Sequence, residues 1–114
     1  MIRARITGTG SYLPERVLTN QELERIVDTN DEWIITRTGI KERRITGEGE
    51  AASSLALRAA QRALEMAGVA PDELDVIIVG TVTPDMFFPS VGCLVQDALG
   101  ANRAVAFDLS AGCS

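Results

Sequence analysis

The sequence predicts an open α/β fold, and three observations support this class. Val76–Val79 is a continuous β-branched run, which is typical of a strand buried on both faces of a parallel sheet. A second apolar run covers Ala104–Leu109, and helical patterns lie before and between the two runs. The resulting order, β-α-α-α-β-α-β, favours a sheet covered by helices that serve as right-handed crossovers.

The first forty residues predict one strand and two short helices. Ile2–Thr9 alternate loosely between apolar and polar side chains, which indicates a first strand. Thr19–Glu22 matches a capping box and should open a helix from about Asn20 to Val27. Thr29–Glu32 repeats this start signal, and the helix that follows should end at Gly39. Two short helices so close together are typical of a functional insertion rather than of a core layer.

The middle of the chain predicts an exposed loop and then a long helix. Residues 41–50 are polar and contain glycine, so Arg43 and Arg44 should be solvated there. Ser53–Ala67 has a clear helical period that ends at Gly68. One face carries alanines and the opposite face carries polar side chains: Ala56, Ala60, Ala63 and Ala67 against Arg58, Gln61, Arg62 and Glu65. The smooth alanine face should lie close against another element.

Three shorter patterns complete the chain. Pro71 should start one further helical turn. Pro84–Pro89 predicts an apolar loop, and Ser90–Leu99 predicts a helix closed by Gly100. Cys93 falls inside that helix among apolar neighbours, so a packing role is the better interpretation.

Composition excludes several classes of function. The net charge of −5 argues against a nucleic-acid binder, because neutralising phosphates needs a basic face. The N-terminus does not match a signal peptide, and no apolar run reaches the roughly 20 residues that span a membrane. The two cysteines lack a metal-like spacing, which favours a reduced, cytoplasmic setting without a metal site. The chain has no histidine, so it contains no Cys-His pair, catalytic triad or imidazole ligand.

Cys113 is the candidate nucleophile. It follows the apolar run Ala104–Leu109 and a stretch of small residues, at a point where a helix would begin. Ligands of open α/β sheets collect beyond the carboxyl ends of strands, and a helix N-terminus favours the thiolate form of a cysteine. The amides of such a turn could also form an oxyanion hole. Spacing alone leaves open the alternative that Cys113 is a small buried apolar residue.

Trp33 and Arg37 form the second candidate site. They are four positions apart on a predicted helix, so they should be neighbours on one face. A tryptophan beside an arginine can stack on a nucleobase while the guanidinium contacts phosphate. The alternative is an ordinary half-buried aromatic anchor.

Four segments together carry a resemblance to a known family: Gly8–Pro14, Asp28–Ile40, Phe88–Ser90 and Ala106–Ser114. They resemble β-ketoacyl-acyl-carrier-protein synthase III, a family of condensing enzymes with the thiolase-type fold. The resemblance runs over nearly the whole chain, and the second segment is long and unusual enough to argue strongly against chance. It implies that residues 1–114 form the N-terminal part of the first thiolase-like half, with a mixed, mainly parallel sheet covered by helices.

The resemblance also implies a reaction and a role for each matching residue. A cysteine, here Cys113, accepts an acyl group (usually acetyl) from acyl-CoA, and the acyl enzyme then condenses with malonyl-ACP and releases carbon dioxide. Trp33 matches the residue that stacks on the CoA adenine, Thr29 a hydrogen-bonding neighbour, and Arg37 a contact to the nucleotide end. Phe88 matches an aromatic residue of the acyl pocket, often reaching it from the partner subunit of a homodimer. Coenzyme A enters as a thioester substrate, and no cofactor is implied.

Part of the machinery that the resemblance implies is absent from this sequence. The family also uses a histidine and an asparagine for decarboxylation, and basic residues that dock the carrier protein. We therefore expect the 114-residue chain alone to be inactive in condensation. Two alternatives stay open: a related acyl-CoA-dependent enzyme of polyketide-type priming or acyl transfer, and a non-catalytic CoA-binding or dimerisation module.

Overall fold

The computed structural model describes residues 1–112, so Cys113 and Ser114 lie outside the described residues. The chain divides into two compact units. The insert unit is Leu13–Gly49, and the sheet unit combines Met1–Tyr12 with the residues from Glu50 onward. A separate unit at this place agrees with the prediction that the two short helices are an insertion rather than a core layer.

The insert unit contains two short strands and two short helices. In chain order they are β1 (Arg16–Thr19), α1 (Asn20–Leu23), α2 (Asp31–Thr38) and β2 (Glu42–Ile45). The predicted capping box is present, because the Glu22 amide donates to Thr19 Oγ1 at 3.2 Å and the Thr19 amide donates to Glu22 Oε2 at 3.1 Å. Helix α1 is shorter than predicted and ends at Leu23 rather than Val27.

The prediction of a solvated loop over residues 41–50 is wrong for Glu42–Ile45, which form strand β2, whereas residues 46–49 are an exposed loop as predicted. Strand β2 pairs with β1 in antiparallel register, from Arg16 opposite Ile45 to Thr19 opposite Glu42. Arg43 Nη1 donates to the Leu18 carbonyl at 3.3 Å, and Arg44 Nη1 donates to the Pro14 carbonyl at 3.0 Å. The sequence pattern did not indicate strand β2, because its side chains are mostly polar and its hydrogen bonds are made with β1, which lies far away in the sequence.

The sheet unit contains the long helix and a parallel pair of strands. In chain order it has α3 (Ala52–Ala67), a 3-10 turn (Pro71–Glu73), β3 (Val76–Gly80), α4 (Val91–Leu99) and β4 (Val105–Leu109). Helix α4 connects β3 to β4, which run parallel from Val76 opposite Val105 to Gly80 opposite Leu109. Gly68 and Gly100 end α3 and α4 in the left-handed conformation, as predicted. The observed elements confirm the α/β class and the parallel arrangement.

Only one face of this strand pair is covered within the described residues. Helix α4 packs against both strands through the buried Val91 and Val95. On the other face Val76, Ile78 and Leu109 are each about half exposed. The prediction that Val76–Val79 is buried on both faces is therefore wrong for this part of the chain.

The predicted first strand over residues 2–9 is also absent. No strand among the described residues pairs with this segment, and an unpaired segment has no ladder partner for its amides and carbonyls. The segment instead lies against the alanine face of α3. A Cβ at Gly8 would collide with the Ala63 carbonyl oxygen, and one at Gly10 would collide with that of Ala59. The close approach predicted for the alanine face is thus confirmed.

Candidate functional site

Helix α2 is fixed at both ends by specific contacts. Asn30 Oδ1 accepts from the Trp33 amide at 2.8 Å, and a Glu24 carboxylate oxygen accepts from the Asp31 amide at 2.6 Å. Both donors are first-turn amides that have no partner within the helix. The cap is therefore Asn30 rather than Thr29, which began the predicted start signal. Gly39 ends the helix in the left-handed conformation, as predicted.

Asn20 holds helix α2 from inside the insert unit. Its residue is fully buried, and its Nδ2 donates to Asp31 Oδ1 at 2.7 Å and to the Ile40 carbonyl at 2.9 Å. Its Oδ1 accepts from Arg43 Nη1 at 2.9 Å. One amide thus links α1, the start of α2, the end of the following loop and β2. Sequence reasoning missed this role, because a polar residue directly after a helix cap is usually solvated.

Trp33 and Arg37 meet on the same side of α2, as their spacing predicts. The Arg37 Cζ atom lies 4.9 Å from the centroid of the indole ring, within the range of a cation–π contact. Trp33 is 52% exposed, although it is a large aromatic residue. A ring that is half exposed agrees with both interpretations, the stacking platform and the half-buried anchor.

An open pocket of about 220 Å³ lies beside this stack. It is lined by Asp28, Thr29, Asn30 and Trp33. Thr29 is therefore a neighbour of Trp33, and the hydrogen bond to CoA that the resemblance implies for it stays a prediction. An indole surface bordered by hydroxyl, amide and carboxylate groups can hold a flat, hydrogen-bonding ring such as a nucleobase.

A second pocket lies where the two parallel strands end. It has a volume of about 240 Å³ and is lined by Gly80, Thr81, Val82, Leu109, Ala111 and Gly112. A Cβ at Gly112 would lie 3.1 Å from Val82 Cγ1, so the residue before Cys113 forms part of the pocket wall. This is the carboxyl edge of a parallel pair, where α/β folds bind ligands. The predicted nucleophile Cys113 itself falls outside the described residues.

Phe88 lies on the loop between β3 and α4, close to the start of the helix. It is 87% exposed, and its neighbour Phe87 is fully exposed. The two rings therefore make little contact with the rest of the described residues, and the acyl-pocket role that the resemblance implies for Phe88 stays a prediction. Sequence reasoning singled out Phe88 but assigned no role to Phe87.

Cys93 has the packing role that the sequence predicts. It is half-buried on α4, and its Sγ donates to the Ala106 carbonyl of β4 at 3.6 Å. Within residues 1–112 there is no cluster of three or more His, Cys, Asp or Glu residues suited to a metal ion. In that same part of the chain, no helix is both long and apolar enough to cross a membrane.

Comparison with known proteins gives strong matches over nearly the whole chain. The chain is 64% identical over 113 residues to the β-ketoacyl-[acyl-carrier-protein] synthase III of Caldanaerobacter subterraneus. This alignment covers 99% of this chain and 34% of the relative. It is equally identical over 108 residues to the enzyme of the same name from Symbiobacterium thermophilum, covering 95% of this chain and 33% of the relative. No protein-family model matches the sequence.

Solved structures agree with these relatives. The 3-oxoacyl-[acyl-carrier-protein] synthase III from Aquifex aeolicus superposes with a TM-score of 0.87 at 58% identity, covering 93% of this chain and 34% of that one. The priming β-ketosynthase of the R1128 polyketide pathway gives a TM-score of 0.88 at 43% identity, covering 94% and 32%. These neighbours confirm the predicted thiolase-like fold. The chain spans about a third of the length of the curated relatives it matches, and over that third it belongs to the β-ketoacyl-[acyl-carrier-protein] synthase III family.

Proposed function

We propose that this chain supplies the CoA-binding and acyl-accepting part of a β-ketoacyl-ACP synthase III. In the first step the Cys113 thiolate attacks the carbonyl of acetyl-CoA, forms a thioester, and displaces CoA as a thiolate, which takes a proton from water. In the second step malonyl-ACP loses carbon dioxide, and the resulting carbanion attacks the acetyl carbonyl and frees Cys113. The product is a β-ketoacyl-ACP, made in the first condensation of fatty-acid synthesis.

The observation that carries this proposal is the exposed Trp33–Arg37 stack beside its pocket. Arg37 covers part of the indole, yet half of the Trp33 side chain stays exposed. Such an exposed ring is suited to stacking on the adenine of CoA. Thr29 lies in the same pocket, where its hydroxyl can hydrogen-bond the ring edge. Arg37 carries the positive charge that the phosphates of the nucleotide end require.

The carboxyl edge of β3 and β4 supports Cys113 as the acylated thiol. The pocket there is mostly apolar, and its wall reaches Gly112. Small residues before the thiol leave room for a thioester carbonyl to approach the backbone amides. The open apolar face of the strand pair supports the further proposal that residues 1–114 are part of a first thiolase-like half, whose other segments cover this face.

The exposed Phe88 supports a homodimer in which this side chain completes the acyl pocket of the partner subunit. An aromatic side chain that is 87% exposed has few contacts within its own chain to lose, and it gains apolar contacts when it enters a pocket of the partner subunit. The histidine, asparagine and carrier-protein contacts of the second step belong to the remainder of the synthase. The protein is proposed to act in the cytoplasm with a CoA thioester as substrate and without a cofactor.

A chimaera tests the proposal with the functional parts in place. In it, this chain replaces the matching third of the Caldanaerobacter synthase, and acetoacetyl-ACP formed from acetyl-CoA and malonyl-ACP is measured by mass spectrometry. We expect activity within about tenfold of the parent synthase and none for Cys113→Ala, because the thiol is the acyl carrier. A chimaera that folds like the parent but forms no product would refute the proposal.

Alkylation separates the enzyme from a non-catalytic CoA-binding module. Cys93 is half-buried and hydrogen-bonded to Ala106, so iodoacetamide should label it slowly. In the chimaera at neutral pH we expect Cys113 to be labelled well before Cys93, and acetyl-CoA to protect it. Equal slow labelling of both cysteines would favour the binding module.

A second candidate function is polyketide-type priming, which the similarity to the R1128 priming β-ketosynthase favours. Both candidates use the same thiol, and they differ in the acceptor, which depends largely on residues beyond this chain. A second chimaera, with this chain in the R1128 enzyme, compares the two. A higher fraction of parental activity in the R1128 background than in the Caldanaerobacter background would favour priming.

A further inference from the structure

Two carboxylates brace the loop that carries Phe88. We define this brace loop as residues 81–90, between β3 and α4. Asp85 lies inside the loop and binds the start of α3, while Asp108 lies on β4 and binds the start of α4. Neither residue belongs to the proposed CoA site, and the resemblance assigns no role to either of them.

Asp85 caps helix α3 from a distant part of the chain. The cap position of α3 is Ala51, whose side chain has no acceptor, and the first turn of this helix has no acidic residue. Asp85 Oδ1 accepts from the Ser53 amide at 2.9 Å, and Oδ2 accepts from the Ser53 hydroxyl at 2.5 Å. A carboxylate at a helix start is stabilised by the free amides and by the helix dipole. The middle of the brace loop is thereby tied to α3.

Asp108 binds the far end of the brace loop in a similar way. Its Oδ2 accepts from the Val91 amide at 2.8 Å, and its Oδ1 accepts from the Gly92 amide at 2.7 Å. A Cβ at Gly92 would lie 2.9 Å from the Phe107 backbone nitrogen, so a larger residue would keep α4 away from β4. Glycine at this position lets the strand that leads towards Cys113 hold the end of the loop.

Phe87 and Phe88 project from the part of the loop between these two anchors. Both side chains are almost fully exposed, so packing within the described residues does not fix where they point. Their direction therefore depends on the backbone, which the two carboxylates hold.

From this geometry we propose that Asp85 and Asp108 are positioning residues for acyl selectivity. They hold the brace loop so that Phe88 presents its ring in one orientation to the acyl group. The inference rests on the proposed function, in which Phe88 lines the acyl pocket of the partner subunit. It adds two residues that act through Phe88 without touching substrate.

The test is the ratio of kcat/KM for acetyl-CoA to kcat/KM for butyryl-CoA, measured in the Caldanaerobacter chimaera. Loss of folded enzyme lowers both values equally and leaves their ratio unchanged, whereas a misplaced ring changes it. We expect Asp85→Ala to change the ratio about fivefold or more, in the same direction as Phe88→Ala, since pocket shape discriminates single methylenes by such factors. Asp97 is an exposed acidic residue on α4, and Asp97→Ala should leave the ratio unchanged.

Two further variants separate positioning from general stability. Asp85→Asn keeps an acceptor for the Ser53 amide and can donate to its hydroxyl, so it should restore most of the parental ratio. The double variant Asp85→Ala with Phe88→Ala should change the ratio no further than Phe88→Ala alone, because both act through one ring. Asp108→Ala should behave like Asp85→Ala.

The outcomes distinguish this inference from the proposed function. If Phe88→Ala changes the ratio and Asp85→Ala does not, the brace has no role in selectivity, while the proposed function stands. If the chimaera is active and Phe88→Ala leaves the ratio unchanged, the selectivity role is refuted for all three residues. A well-folded but inactive chimaera refutes the proposed function, and the selectivity role falls with it.

Discussion

Asn20→Asp is the substitution that tests most sharply how helix α2, which carries the proposed CoA site, is held in place. The two side chains have nearly the same shape, so packing at this fully buried position is preserved. The change replaces the Nδ2 donor by an oxygen. That oxygen would face Asp31 Oδ1 at 2.7 Å and the Ile40 carbonyl at 2.9 Å. The bond from Arg43 Nη1 to Oδ1 is retained.

The expected cost follows from these contacts. Two acceptors lose their donor, and since both contacts are only part-buried each loss should cost about 1.5 kcal/mol, in the lower half of the usual range. Repulsion between the new carboxylate and Asp31 is opposed by attraction to the Arg43 guanidinium at a similar distance, while burial of the new charge adds a further cost. The free energy of unfolding of the insert unit should therefore fall by at least about 3 kcal/mol.

Trp33 makes this cost measurable. It is the only tryptophan in the chain and lies on α2, so its fluorescence during urea unfolding reports on the insert unit. Asn102→Asp is the matched control, because Asn102 is exposed in the loop after α4, and its effect should stay within about 0.5 kcal/mol. Full unfolding of the insert unit without urea would also agree with the prediction.

A double substitution isolates the bond between Asn20 and Asp31. In Asn20→Asp with Asp31→Asn, the new amide can donate to the new carboxylate, so the bond returns with reversed polarity. This pair should recover about 1.5 kcal/mol of the loss. An Asn20→Asp variant within about 1 kcal/mol of the parent, or a pair that recovers nothing, would refute the role assigned to Asn20.

Three further predictions concern other parts of the chain. Gly10→Ala should lower the free energy of unfolding, measured by thermal denaturation, by about 3 kcal/mol, because the new Cβ would collide with the Ala59 carbonyl oxygen. Gly80→Ala is the control and should be nearly neutral, because no atom lies within 4 Å of its new Cβ. In the Caldanaerobacter chimaera, Trp33→Ala should raise KM for acetyl-CoA about tenfold and Trp33→Phe less, since base stacking contributes about 1–3 kcal/mol; an unchanged KM would exclude stacking. The 114-residue chain alone should form no β-ketoacyl-ACP in the assay that detects product from the chimaera, and product from the chain alone would contradict this.

Local signals in the sequence account for most of the observed elements. Helix α3 and its end at Gly68, the strand from Val76 and helix α4 each carry their pattern within a few residues. The errors arose where structure depends on a distant partner. Residues 2–9 resemble a strand but find no strand to pair with among the described residues, while β2 looks like a loop but pairs with β1.

The candidate site shows the same division. The neighbourhood of Trp33 and Arg37 follows from helical spacing, whereas the pocket that Thr29 lines beside Trp33 was not predicted from the sequence. The roles of Asn20, Asp85 and Asp108 could not be predicted, because each depends on contacts between segments far apart in the chain. Buried or bridging polar side chains of this kind have no periodic signature in the sequence.

Acetyl transfer to Cys113 tests the central claim most directly. The Caldanaerobacter chimaera is incubated with acetyl-CoA in the absence of malonyl-ACP, and its peptides are analysed by mass spectrometry. The proposed function predicts one acetyl group on the peptide that contains Cys113, none on Cys93, and slower acetylation in Trp33→Ala. An unmodified Cys113, or acetylation that persists in Cys113→Ala, would contradict it.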